Sequence, residues 1–329
     1  MILDAKSDDH YNQRGLFGPN DSDVVGGSHL QGTHGHTAAV RLLVVASLWS
    51  MAPTPAAAER LTVLTLNLRS HYDQRDRRLV AIASFLARVR PDVVFLQEVA
   101  RDRHGNDADR LAYPAGYAVA HEHNSHTRRG LAILSRHPIR DVVAIELPGK
   151  RRLAIAAVVE REGRLFSLVN LHLTPQLDAA KRRTRELRRI LTLARNLPGP
   201  TLVAGDFNFG DAGDENRLLS SGQDVYRARW PNAAGHTWDL ANPLARRNSY
   251  PDEPSRRLDR IIVLNAEVTV LSVDIVLDDA SAGGLYPSDH YGLLAEIEVW
   301  PDRVARPEGV GPVRRSANSG GCENHHPVD

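Results

Sequence analysis

The chain has 329 residues, with 41 Lys and Arg against 40 Asp and Glu, for a formal charge of +1. Hydrophobic residues make up 42% and charged residues 25%, an ordinary globular composition that excludes a wholly disordered or fibrous chain. A near-neutral charge speaks against a histone-like, charge-driven nucleic-acid binder, and the single cysteine, Cys322, excludes an intrachain disulfide framework or a cysteine-based zinc site.

Residues 1–37 are polar, rich in Gly, Asp and His, and show no apolar period, so they are expected to be disordered. His10, His29, His34 and His36 are too irregularly spaced to suggest a metal site. Across 38–58, Arg41 precedes an apolar block at 42–51, and Ala56-Ala57-Ala58 ends it with a small-x-small site. This is the layout of a secretory signal peptide cleaved after Ala58, and it predicts export to the periplasm or medium. The block is shorter than the ~20 residues that a membrane-spanning helix needs. The competing reading is an N-terminal helix lying on the domain of a cytoplasmic protein.

Residues 59–300 carry the regular patterns of one domain. Residues 61–66 read as a strand, and 75–90 place Leu79, Ile82, Phe85, Leu86 and Val89 on one helical face before Pro91 stops the run. Residues 92–96 form a buried strand. Further strand signals fall at 130–135, 153–159, 165–173, 201–204, 258–264, 268–277 and 291–299. A second helix covers 178–196, with Leu187, Ile190, Leu191 and Ala194 inward and an Arg-rich outer face. Long apolar strands alternating with a few helices give an α/β fold with more than one sheet. Residues 301–329 are rich in Pro, Gly and polar residues and are expected to be a flexible tail.

Polar residues stand where these strands stop. Leu64-Thr65-Leu66 runs into Asn67, Phe95-Leu96-Gln97 into Glu98, Leu171 into His172, and Ala204-Gly205 into Asp206-Phe207-Asn208. Asp259 opens one apolar strand and Asp289-His290 precedes another. Such groups are costly to desolvate unless paired or metal-bound, and eight together mark a crevice. There is no G-x-S-x-G elbow and no P-loop. His121-Glu122-His123 is not a zincin helix, because Ser125 stands where the second His is required; the stretch reads as a loop or strand edge. Oxygen donors such as Asn67, Glu98 and Asp289 suit a hard cation, Mg²⁺ or Mn²⁺. Beside a His, an Asp and an Asn, such a cation is suited to water attack on a phosphate ester.

Asn67 in LTLNL, Glu98 in LQEV, His172 in NLHL, Asp206 and Asn208 in GDFN, Asp259 in RLDR and Asp289-His290 in SDH follow one another in the order of the endonuclease/exonuclease/phosphatase superfamily, the DNase I-like phosphoesterases, which this chain resembles. Residues 130–135 also look like a strand of that family. The resemblance implies an α/β four-layer sandwich, with two mixed β-sheets face to face and flanked by helices. The stretch from His236-Thr237-Trp238-Asp239 to Pro287-Ser288-Asp289-His290 is similar to the C-terminal half of the 5′-tyrosyl-DNA phosphodiesterases. Phe207 departs from those enzymes, which have Thr between the Asp and Asn of this motif; sphingomyelinase-like members share GDFN. The loop 210–216 is acidic and would repel a nucleic-acid backbone.

The resemblance implies roles for these positions. Glu98 is the principal Mg²⁺ (or Mn²⁺) ligand, completed by Asn67 and Asp289 directly or through water. Asp206 deprotonates the attacking water and Asn208 helps to place it. His290, held cationic by Asp259, contacts the phosphate, and His172 binds a phosphoryl oxygen. Trp238, Arg128 and Arg129 are candidate substrate contacts. The expected activity is a metal-dependent phosphodiesterase or nuclease, with a phospholipid phosphodiesterase or small-molecule phosphatase as alternatives. Its partner is a phosphate ester, either nucleic acid or lipid, and no obligate protein partner is evident. A non-catalytic binding module on the same fold would need a lost metal ligand or dyad member, and none is lost.

Overall fold

A computed structural model describes residues 58–103, 105–123, 129–149, 152–250, 252–280 and 284–300. The expected disordered extension 1–37, most of the signal-like segment 38–58, Arg128 and the tail 301–329 lie outside the described residues.

Leu61, Val63 and Asn67 share one face of β1 (Glu59–Asn67), while Leu64 and Leu66 share the other. A strand with two apolar faces must be covered on both sides, as the central strands of both sheets are. After β1 come α1 (Arg75–Val89), β2 (Val93–Asp102), the short β3 (Gly105–Asn106) and α2 (Asp107–Ala112). A 3₁₀ turn at Tyr113–Ala115 leads to β4 (Ala118–His123), β5 (Arg129–Ser135), β6 (Ile139–Glu146), β7 (Leu153–Arg161) and β8 (Arg164–His172). Then follow α3 (Ala180–Ala194), β9 (Thr201–Asp206), a 3₁₀ segment at Asp214–Leu219, β10 (Gln223–Asp224), α4 (Val225–Arg229) and α5 (Pro243–Asn248). Three strands close the fold: β11 (Asp259–Leu264), β12 (Glu267–Val276) and β13 (Gly292–Trp300).

The strands form two mixed sheets. One has seven strands in the order β12-β13-β1-β2-β5-β4, with β3 paired to β2; the other has six in the order β10-β11-β9-β8-β7-β6. Each contains one parallel pair, β1/β2 or β8/β9, joined by a crossover helix, α1 or α3. Phe95, Ile133, Phe166, Leu168, Leu202, Ile261 and Leu293 meet between the sheets in the central core. The outer face of the six-stranded sheet packs on α3 through Leu187, Ile190 and Leu191, and that of the seven-stranded sheet on α1 and α2 through Ile82, Leu86 and Leu111. The layers are therefore helix, sheet, sheet, helix, as the resemblance implies.

Strand direction decides where the site lies. The C-terminal ends of β1, β2, β8 and β9 and the N-terminal starts of β11 and β13 all fall at one edge of the stack, because β11 and β13 run antiparallel to β9 and β1. Just below that edge the two sheets are stitched by a buried amide pair. Gln97 donates to the Oδ1 of Asn170 at 2.8 Å, and Asn170 donates to the carbonyls of Leu96 and Ala132 at 2.8 Å each. These bonds fix the spacing of the sheets where the cleft opens.

Candidate active site

Along β8, β9 and β11 the inward positions alternate with the outer ones, so Leu168, Asn170 and His172 share a face, as do Leu202, Ala204 and Asp206, and Asp259, Ile261 and Val263. Register does the rest: Asp206 lies opposite His172 on one side and opposite Asp259 on the other. Glu98 breaks this rule. Alternation places it with Leu96 on the outer face, but the register shifts between Leu96 and Val99 and Glu98 adopts a φ of 52°, a left-handed conformation uncommon for a non-glycine residue. That bulge brings the carboxylate into the cleft.

The cleft has a volume of about 270 Å³ and is lined by Asn67, Glu98, His172, Asp206, Asn208, Trp238, Asp289 and His290, together with Tyr72, Arg129, Arg152, Asn248, Tyr250, Glu253 and Arg256. Residues from 67 to 290 thus converge. Asp206 is at its centre. Its Oδ2 accepts from the Nδ2 of Asn67 at 3.2 Å and lies 3.3 Å from the Nε2 of His172 and 3.8 Å from the Nε2 of His290. Its Oδ1 accepts from the backbone N–H of Asn208 at 3.0 Å. The Nδ1 of His290 is 2.8 Å from the Oδ2 of Asp259. Asn208, at a φ of 56°, donates through its side chain to the carbonyl of Leu173 at 3.0 Å and so ties the ends of β8 and β9 together.

Burial and neighbours set the charges. Burial opposes the charge on His290, but Asp259 and Asp206 outweigh it and raise the imidazole to about 10. Burial lifts Asp206 to about 6, with His290 pulling in the opposite direction. His172 is pushed well below the ordinary imidazole value by burial and by Arg152, so it is neutral where His290 is charged. Burial raises Glu98 against the pull of Arg129. Asp289 stays below its usual range because His290 and Arg69 overcome its burial.

Two groups of donors bear on a cation. Asp206, Asp259 and His290 bring one ligand atom each within 4.8 Å of one another, close enough to hold an ion. The imidazole, however, presents Nδ1 to Asp259 and Nε2 towards Asp206, which is the arrangement of a shared proton, and a cation there would have to displace it. Asn67, Glu98 and Asp289 offer oxygen donors alone and line the same cleft, which fits a hard cation better. Asp289 is the most engaged of the three: it accepts from Arg69 at 2.6 Å, Asn248 at 3.1 Å and the hydroxyl of Ser288 at 3.2 Å. Its contact with a cation would accordingly run through water.

Arg129 donates to Glu98 and to the hydroxyl of Tyr72, both at 2.8 Å, forming the wall beside the carboxylate. Trp238 is 8% exposed and stands edge-on to His290, with ring centroids 5.1 Å apart, so it buttresses the imidazole as well as lining the cleft. Arg152 carried no signal in the sequence, since no motif surrounds it. It lines the cleft, its carbonyl contact to His172 is long at 3.4 Å, and it faces Glu98 and Asp206 without a direct ion pair. The acidic loop 210–216 differs from expectation. Asp211 pairs with Arg227, Arg257 and Arg260, Asp214 with Arg217 at 3.0 Å, and Glu215 with Arg183 at 2.8 Å, so its acids are neutralised in place. The expected repulsion of an anionic backbone does not follow.

A profile of the Endonuclease/Exonuclease/phosphatase family matches residues 64–290. Tyrosyl-DNA phosphodiesterase 2 of Mus musculus is 29% identical over 242 residues, 68% of this chain and 61% of that protein; the Xenopus laevis protein is 27% identical over 256 residues, 72% of this chain and 66% of its own length. The chain thus spans about three-fifths of the length of the mouse relative. A crystal structure of D. rerio TDP2 complexed with a single-strand DNA product aligns with a TM-score of 0.63 and 25% identity, covering 73% of this chain and 99% of that one. An endonuclease/exonuclease/phosphatase from Bacteroides vulgatus shares the fold with a TM-score of 0.59 and 22% identity, over 73% of this chain and 99% of its own. With the profile spanning more than half of its length, the chain belongs to the endonuclease/exonuclease/phosphatase family.

Proposed function

We propose that the chain is a Mg²⁺- or Mn²⁺-dependent phosphodiesterase that cleaves a P–O bond by direct attack of water. The observation that carries this reading is the contact of one buried carboxylate, Asp206, with Asn67, His172 and the Asp259-supported His290. Asp206 stands near the pKa of an efficient general base at neutral pH and takes the proton of the attacking water. Asn208 holds the Asp206 carboxylate through its backbone N–H. His290, kept cationic, stabilises the charge that develops on the phosphoryl oxygens, and neutral His172 donates from Nε2. Glu98 and Asn67 would hold the divalent cation, with Asp289 behind a water. When bound, that cation neutralises phosphoryl oxygens and orients the ester.

Arg129 is paired with Glu98 and Arg256 with Glu253, so it is Arg152, facing Glu98 and Asp206 without a direct ion pair, that brings a cation to the cleft lining for an anionic substrate. With the likeness to tyrosyl-DNA phosphodiesterase 2, this supports nucleic-acid ends as the substrate class, ahead of phospholipids and small phosphate esters. We further propose that residues 38–58 direct export and that 59–300 is the mature catalytic domain. The test is hydrolysis of bis(p-nitrophenyl) phosphate with Mg²⁺, followed by a panel of single- and double-stranded DNA, RNA, 5′-tyrosyl DNA, sphingomyelin and small phosphate esters. Turnover that survives chelation would refute the metal dependence, and preference for sphingomyelin would refute the substrate class.

A further inference from the structure

The catalytic pair proposed above is assembled across two sheets that share no ladder. Asp259 opens β11 in the six-stranded sheet, and His290 precedes β13 in the seven-stranded one. Their separation of 2.8 Å is spanned outside the two ladders, by the segment around Trp238, which forms isolated antiparallel bridges with both Arg256 and His290. The carboxylate does not fix itself: the Oδ1 of Asp259 is buried with no hydrogen-bond partner, while Oδ2 is committed to His290. The place of that side chain depends on where its backbone is held.

Thr237 holds it. This residue is fully buried, and its Oγ1 accepts the backbone N–H groups of both Leu258 and Asp259 at 3.0 Å. Its carbonyl accepts the N–H of Tyr291, the residue after His290, at 2.7 Å. Its own N–H reaches the carbonyl of Arg256 at 3.1 Å, and the next residue, Trp238, exchanges backbone bonds with Arg256 at 3.0 and 2.8 Å. Trp238 then presents its ring edge-on to His290, at an interplanar angle of 61°. One residue thus grips the backbone beside each member of the pair. Its hydroxyl is the acceptor for two buried N–H groups that an aliphatic side chain would leave unmatched.

We propose that Thr237 is a positioning residue that sets the Asp259–His290 pair across the two sheets, a role that rests on the phosphodiesterase reading. It touches no reacting atom and acts through Asp259. The test is a double-mutant cycle on the full chain, with bis(p-nitrophenyl) phosphate and saturating Mg²⁺. Thr237→Val removes the acceptor at nearly constant volume, and kcat should fall about 10- to 100-fold with KM changed less than about two-fold, the size expected for a small misplacement of a catalytic group. Thr237→Ser keeps the acceptor and should restore kcat to within about five-fold of the unaltered chain.

In an Asp259→Ala background the valine change should cost nothing further, because the group it positions is gone. A kcat loss carried undiminished into that background would make Thr237 merely structural and overturn the inference, as would an unchanged kcat in T237V. Should T237V be recovered unfolded, T237A takes its place in the same cycle, judged by the same two outcomes. If the unaltered chain shows no metal-dependent turnover on any ester of the panel, the functional reading falls and this inference with it. Turnover that is indifferent to Thr237 overturns the inference alone.

Discussion

Arg78 offers a sharp test of how the cleft is held together. It projects from α1, its side chain is fully buried, and among the described residues no carboxylate bonds to it. Its guanidinium makes five hydrogen bonds to backbone carbonyls: Asp73 at 2.8 Å, Leu68 at 2.7 Å, Pro287 at 3.2 Å, Ser70 at 3.1 Å and Tyr72 at 2.8 Å. Four of these belong to the loop that follows Asn67, and the fifth lies two residues before Asp289. Arg78→Met keeps an unbranched side chain out to the ε position and removes every donor. A carbonyl left unmatched in the interior costs about 1 kcal/mol or more, whereas removing a buried charge returns part of its desolvation penalty. Water can reach the carbonyls of Tyr72 and Asp73, which are partly exposed.

The expected net loss is therefore about 3 kcal/mol, or a fall in Tm of roughly 6–12 °C for a domain of this size. Urea unfolding measures the first and calorimetry the second. The same variant should need more Mg²⁺ for half-maximal activity, because Asn67 and Asp289 flank the segments that Arg78 joins. A loss below about 1 kcal/mol with unchanged Mg²⁺ dependence would refute the argument.

Asp206→Asn should lower kcat by about 10²- to 10⁴-fold with the far-UV spectrum intact, and near-normal turnover would remove Asp206 from the mechanism. The pH profile of kcat should be a bell. Asp206 must be ionised, so activity rises with pH through about 6; His290 must be charged, so activity falls as pH rises through about 10. Asp259→Asn takes away the carboxylate that does most to raise His290, and the alkaline limb should then move to lower pH. Glu98→Gln should raise the Mg²⁺ concentration needed for activity more than it changes the limiting rate, as read from a metal titration. N-terminal sequencing of the native protein should find Glu59 first, and an intact 1–58 segment would defeat the export proposal.

The strands and their terminal polar residues could be read before any coordinates because a period of two runs through both. In β1 the inward series Leu61, Val63 and Thr65 ends on Asn67, and in β8 Leu168 and Asn170 lead to His172. Asn67 and His172, like Asp206 on β9, are thus the last members of core-facing series, and the apolar spacing that predicts the strand also predicts their orientation. Where the period fails, the sequence is silent. In β6, five consecutive residues are exposed at the edge of its sheet, so no alternation marks it. His121 and His123, expected in a loop or at a strand edge, lie in β4 at the edge of the other sheet. The short helices α2, α4 and α5 have too few turns for a periodic face; their start signals are the caps Asn106, Asp224 and Asn242. Arg78 and Arg152 belong to no pattern, and Thr237, although it lies in the His236–Asp239 stretch, shows no sign of its role there, because their partners are distant in sequence or are backbone groups with no side-chain identity.

Glu98 shows why a site of this kind is also where local rules give way. It lies within a strand whose alternation would turn it away from the cleft, and a bulge with a left-handed φ of 52° turns it back. Asn208, Arg69 and Ser70 also have positive φ, at 56°, 57° and 41°, and they stand beside or within the same cleft. Conformations of this kind cost on the order of 1 kcal/mol or more each, so they persist only when surrounding contacts hold them. Here the contacts are visible: Arg129 on Glu98, the carbonyls of Leu68 and Ser70 on Arg78, and the carbonyl of Leu173 on Asn208. Glycine at any of these positions would relax the backbone. At 98 it would remove the one carboxylate of the proposed cation site that lies on a bulge and bonds to a single arginine. Strain and function coincide there because the oxygen has to face a cleft that regular strand geometry would turn it away from.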